Sequence, residues 1–109
     1  MDELRTVLIT APDIETGQGI ARRLVEERLA ACANIVSDVT SIFRWEGEVQ
    51  EVREVLLIIK TTAARTSALI RRAAELHPYD VPEVLALPVL AGYEPYLDWV
   101  RDGCAGEPL

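Results

Sequence analysis

Residues 35–60 read IVSDVTSIFRWEGEVQEVREVLLIIK, and the fold turns on this stretch. From Ile35 to Trp45, Val39, Ser41, Phe43 and Trp45 alternate with Thr40, Ile42 and Arg44, the period of a strand with two unlike faces. Glu46-Gly47-Glu48 supplies a turn, and a second extended run returns to Lys60. The return run contains Val55-Leu56-Leu57-Ile58-Ile59, apolar at every position, which predicts a strand in the middle of a sheet. A long hairpin is therefore expected at the centre of the chain.

On the N-terminal side, Leu4 to Ala11 is β-branched and apolar and reads as a first strand, stopped by Pro12-Asp13. Asp13 or Thr16 can cap the helix that follows. Gly17 to Ala31 has Ile20, Leu24, Val25 and Leu29 on one side and Arg22, Arg23, Glu26 and Glu27 on the other, an amphipathic helix whose apolar face ends at Cys32. On the C-terminal side, Thr62 to His77 is helical by its spacing of Leu69, Ile70, Ala73 and Leu76, and Glu83 to Val89 reads as a fourth strand. Tyr93, Tyr96, Leu97 and Val100 then fall on one face of a short last helix that Gly103 can close.

The order β-α-β-β-α-β-α predicts a single α+β domain over residues 1–109. It is the ferredoxin-like, split βαβ pattern: an antiparallel sheet with two helices on one face, a long hairpin and a short C-terminal helix. Helices on one side leave the other face of the sheet uncovered, so an oligomer is expected. The connector from second helix to fourth strand, His77-Pro78-Tyr79-Asp80-Val81-Pro82-Glu83, holds the only histidine. Its two prolines make it stiff and extended. Topology brings it to the end of the first strand, so Pro12, Asp13 and Glu15 should lie near His77, Tyr79 and Asp80. The alternative role for His77 is a helix C-terminal residue stabilised by the macrodipole.

Composition narrows the function. A net charge of −7 with no sharp basic cluster argues against nucleic acid and membrane surfaces as partners. The longest aliphatic run is too short to span a bilayer. The start Met1-Asp2-Glu3-Leu4-Arg5 lacks the pattern of a secretory signal, which predicts a cytoplasmic protein. Cys32 and Cys104 form no CxxC pair and no disulfide framework. Gly17-Gln18-Gly19 hints at a dinucleotide turn, but Arg22 stands where the third glycine belongs. Glu26-Glu27, and Glu51 with Glu54, read as solvated faces. Lys60 reads as a strand-end charge reaching solvent or a neighbouring subunit, and the aromatic residues of the last helix as core or interface. Tyr79 and Asp80 find no partners that would make a nucleophile and base, so a binding role is expected over a catalytic one.

Several phrases in register resemble one family. Leu29-Ala30-Ala31-Cys32-Ala33-Asn34-Ile35, Ser41-Ile42-Phe43-Arg44-Trp45-Glu46-Gly47, Glu54 to Thr62, the His77–Glu83 connector and Tyr93-x-x-Tyr96-Leu97-x-Trp99 occur in the order and spacing of the CutA divalent-cation tolerance proteins, from about Val7 to Val100. The resemblance implies a ferredoxin-like subunit in a tight homotrimer, similar in architecture to PII signalling proteins, that contributes to tolerance of copper or other divalent metals. It implies no catalytic reaction and no organic cofactor. His77 and Cys32 match positions discussed as copper ligands in the family; the alternative role for Cys32 is to fill a small buried space as a packed apolar side chain. Imidazole and thiolate suit copper, and Asp13, Asp80 or Glu83 could complete a Cu(II) or Zn(II) site. Some bacterial members carry a further cysteine where this chain has Ile9. The other expectation consistent with the architecture is a trimeric small-ligand sensor or scaffold acting through a protein partner.

Overall fold

The computed structural model describes residues 2–106. Strand β1 (Leu4–Ala11) leads into helix α1 (Ile14–Glu26), the hairpin β2 (Cys32–Trp45) and β3 (Glu48–Thr62), helix α2 (Ala63–Leu76), strand β4 (Val84–Pro88) and helix α3 (Glu94–Gly103). The four strands form one antiparallel sheet in the order β2-β3-β1-β4. This is the expected ferredoxin-like arrangement, with the apolar β3 inside the sheet.

Side-chain alternation divides the sheet into two faces. On one, Val7, Ile9 and Ala11 of β1 and Val55, Leu57 and Ile59 of β3 pack under Ile20 and Leu24 of α1 and Leu69 and Ala73 of α2. Gly17 sets how close α1 sits, since a Cβ there would come within 3.0 Å of Val55 and 3.2 Å of Leu57. That packing, and not a phosphate turn, accounts for the first of the two glycines. On the other face, Leu4 packs with Leu97 and Val100, so α3 covers one end. The remainder of that face is open. Its rows run Asn34, Ile58, Leu8, Leu85 and Val36, Leu56, Thr10, by register.

The boundaries on either side of α1, and the start of β2, differ from expectation. Helix α1 begins at Ile14 because Asp13 caps it, its carboxylate accepting the Thr16 amide at 2.8 Å. It ends at Glu26, not Ala31. The amides of Leu29 and Ala30 both turn back to the Leu24 carbonyl, Arg28 adopts φ 57°, and the Ala31 amide already bonds to Lys60 in the sheet. Cys32 therefore opens β2 and does not close a helix face.

The acids read as solvated are also partly engaged. Glu27 receives a two-nitrogen fork from Arg72 of α2, at 2.9 and 3.1 Å, which ties the two helices together. The Arg72 hydrogen bond holds the Glu27 carboxyl below its ordinary 4.5. A carboxyl depressed in the folded state adds stability that is complete above its unfolded value and is lost as pH falls through the folded value. Glu27→Gln is accordingly expected to lower the melting temperature modestly at pH 7. The gap to the parent should close in melts below pH 4.5.

The hairpin outruns the sheet. Pairing of β3 with β1 stops at Val55, while β2 and β3 continue together to Trp45 and Glu48. The distal part is a two-stranded arm, which gives the chain a long axis of 45 Å against 28 and 22 Å. A register shift between Val36 and Val39, with Asp38 at φ 59°, marks a bulge where the arm leaves the body. At the tip Glu46 and Gly47 have φ 51° and 82°, the paired positive values of a two-residue turn that matches strand twist.

Candidate functional site

The connector and the root of the arm form the most organised polar cluster. Pro78 forces His77 out of the helix, and its backbone is extended at φ −81°, ψ 139°. That turn carries the imidazole under the end of β1, where it is 7% exposed. Its Nε2 lies 2.7 Å from the Thr10 carbonyl oxygen, and its Nδ1 accepts the Tyr79 amide at 3.2 Å. β4 makes its last pair with β1 at Ile9, so Thr10 has no strand partner on that side. The imidazole takes the strand's place, and with Nδ1 accepting, Nε2–H is the donor to Thr10.

Tyr79 continues the cluster. Its ring lies 4.7 Å from the imidazole centroid, and its hydroxyl donates to Glu54 at 2.7 Å. Burial, then the Glu54 hydrogen bond and charge, and lastly the Asp13 charge, push the phenol up to about 12. It is a fixed donor at neutral pH, not a base. Glu54 is 6% exposed. This corrects its reading as a solvated acid: it sits at the root of the arm, opposite Val39 and beside the bulge. Its one sequence signal was an acid directly preceding the apolar run of β3.

The proposed metal donors occupy separate places. Cys32 is paired with Lys60, which is paired with Thr6, whereas His77 bonds Thr10. Four residues along β1 separate those rows, about 13 Å at ~3.3 Å per residue. Cys32 is half-buried, with Sγ 3.5 Å from the Tyr96 hydroxyl; that contact, then burial and the Cys32 charge, push the Tyr96 phenol up to about 12. Asp13 is exposed and occupied as the α1 cap, its carboxyl held below the usual range by the Thr16 amide. Asp80 and Glu83 are exposed, one on the connector and one just before β4. Topology does bring Asp13 to Tyr79, as expected. Among the described residues no three His, Cys, Asp or Glu side chains converge as a metal-holding group within the protomer. Lys60 donates to the side-chain oxygen of Asn34, its diagonal neighbour on β2. Among the described residues no helix is long and apolar enough to cross a membrane.

The same chain architecture and sequence recur among known proteins. The model of the CutA1 divalent ion tolerance protein family matches residues 5–103. The divalent-cation tolerance protein CutA of Thermus thermophilus is 55% identical over 96 residues, 88% of this chain and 93% of the relative. Human protein CutA is 47% identical over 93 residues, 85% of this chain, and this chain spans 52% of its length. Among solved structures, the T. thermophilus divalent cation tolerance protein superposes with a TM-score of 0.91 at 52% identity, covering 94% of this chain and 99% of the other. CutA1 from Oryza sativa gives 0.92 at 41% identity, covering 95% of each.

Proposed function

This chain belongs to the CutA1 divalent ion tolerance protein family, and on that premise we propose that it acts in divalent-cation tolerance as a homotrimer that takes up copper or a similar metal ion. The observation that carries the reading is the open face of the sheet. Val36, Leu85 and Leu87 on that face are 44, 55 and 43% exposed, beside Leu8, Leu56 and Ile58. A contiguous apolar patch of this kind marks an interaction surface. A ring of identical copies buries it without leaving an open end. The arm argues the same way, because a lone two-stranded ribbon is marginal in water and this one displays Ile42 and Val49 on the face opposite Phe43 and Trp45.

Cys32 opens β2 in a row adjoining that patch, and its thiolate is the softest donor available to copper. Because the described residues offer no three-donor group within one protomer, a site of useful strength must pool ligands from several copies, which couples metal uptake to assembly. A native mass spectrum titrated with copper(II) against a weak competing chelator tests this. The expected result is a trimer that saturates at a small fixed number of ions, with Cys32→Ser remaining trimeric but taking up none at the same concentrations. Loading without saturation, or an unchanged Cys32→Ser, would move metal binding to scattered surface carboxylates.

A further inference from the structure

Between the arm and the connector lies a cavity of about 590 Å³, within the size range of small-molecule sites. Phe43 and Trp45, two apart on β2, share one face of the arm with Gln50, directly opposite Phe43, and with Val52. Tyr79, Asp80 and Val81 form the facing wall, and Pro12 also lines the cavity. Three aromatic rings thus border one cavity, and they remain 42, 46 and 37% exposed in the order Phe43, Trp45 and Tyr79.

Three carboxylates act at the cavity, against one lining cation. Asp80 lines it, Glu54 stands behind the Tyr79 hydroxyl, and the Asp13 carboxylate acts on the same phenol. Arg53 also lines the cavity, but its register partner is Thr40, which places it on the opposite face of the arm from Phe43, and its guanidinium reaches Asp38 at 3.8 Å. The net charge of −7 adds a long-range preference for cations.

We propose that this cleft binds a small alkylammonium cation, its charged head against the aromatic faces of Phe43, Trp45 and Tyr79 and paired with Asp80. Aromatic faces attract a cation that keeps its own alkyl shell, whereas a bare divalent ion needs nitrogen, oxygen or sulfur donors in its coordination sphere. An anion would meet Asp80 and Glu54, and a neutral molecule would leave the field unused. The site is distinct from the Cys32 region and stands or falls without it.

Choline and its uncharged isostere 3,3-dimethylbutan-1-ol separate charge from shape. The two tryptophans provide a probe and a control in an amide and indole NMR spectrum, Trp45 in the cleft and Trp99 on α3. The expected result is a saturable shift of the Trp45 indole N–H with choline, at least about tenfold weaker with the alcohol, and little change at Trp99. Asp80→Asn, at an exposed position, is expected to weaken the choline response several-fold without unfolding the chain. A Trp45 indole that does not move, as when an element of a second copy fills the cleft, overturns the proposal. So does an equal response to the alcohol, a Trp99 shift of the same size and midpoint, or an unaffected Asp80→Asn.

Discussion

Ile58→Glu is expected to leave a folded monomer, with the mass in light scattering falling from a multiple of 12.1 kDa to that value. Ile58 stands in the central row of the open face, flanked across the sheet by Leu8 and Asn34 and along β3 by Leu56 and Lys60. Within one chain its side chain is only partly covered, so the carboxylate would remain hydrated in the monomer and the core beneath α1 and α2 would be untouched. In the assembly each copy would bring one carboxylate into an apolar contact. Removing an unpaired ion from water costs at least several kcal/mol per ion, enough to reverse an association of ordinary strength. Circular dichroism should retain the secondary structure, while the melting temperature falls because face and arm lose their cover. An unchanged oligomeric mass would show that copies meet elsewhere and would remove the open face as the argument for a trimer.

How much of this was legible in the chain depends on how local the cause was. The hairpin, the central β3 and the order of elements followed from period-2 alternation, one apolar run and one turn, each decided by neighbouring residues. The end of α1 did not. Leu29-Ala30-Ala31 continues an apolar pattern that suits a helix, but Arg28 turns left-handed and the backbone of Ala31 joins β3, a contact between residues far apart in sequence. Cys32 changed element with that boundary. Topology alone placed the connector at the end of β1, and the structure has His77 at Thr10 and Tyr79 under the influence of Asp13. The partner of Tyr79 was hidden because Glu54 looks like any acid on an exposed strand. Its burial depends on the bulge at Asp38 and on a tyrosine 25 positions away. Which donors share a site was least legible, since Cys32 and His77 belong to different rows of the same sheet.

His77→Ala separates a positioning role from a ligand role. As a positioning residue, the imidazole donates to Thr10 through Nε2, accepts the Tyr79 amide through Nδ1, and packs on the Tyr79 ring. Alanine would leave the Thr10 carbonyl and the Tyr79 amide without these partners and open a hole in place of the imidazole of a residue that is 7% exposed. Together these losses are expected to cost about 2–4 kcal/mol in urea unfolding. The connector should loosen with them, which weakens the Tyr79–Glu54 bond and shows as accelerated amide exchange around Tyr79 and the root of the arm. A metal at His77 would have to displace one of the two hydrogen bonds, so a ligand role predicts the opposite pairing of results: copper uptake lost while stability in the absence of metal is nearly unchanged. His77→Gln sharpens the comparison, because its amide can donate to Thr10 while offering copper a poorer donor than imidazole. Stability restored toward the parent by glutamine, with copper stoichiometry unaffected by either variant, would assign His77 to holding the connector against β1.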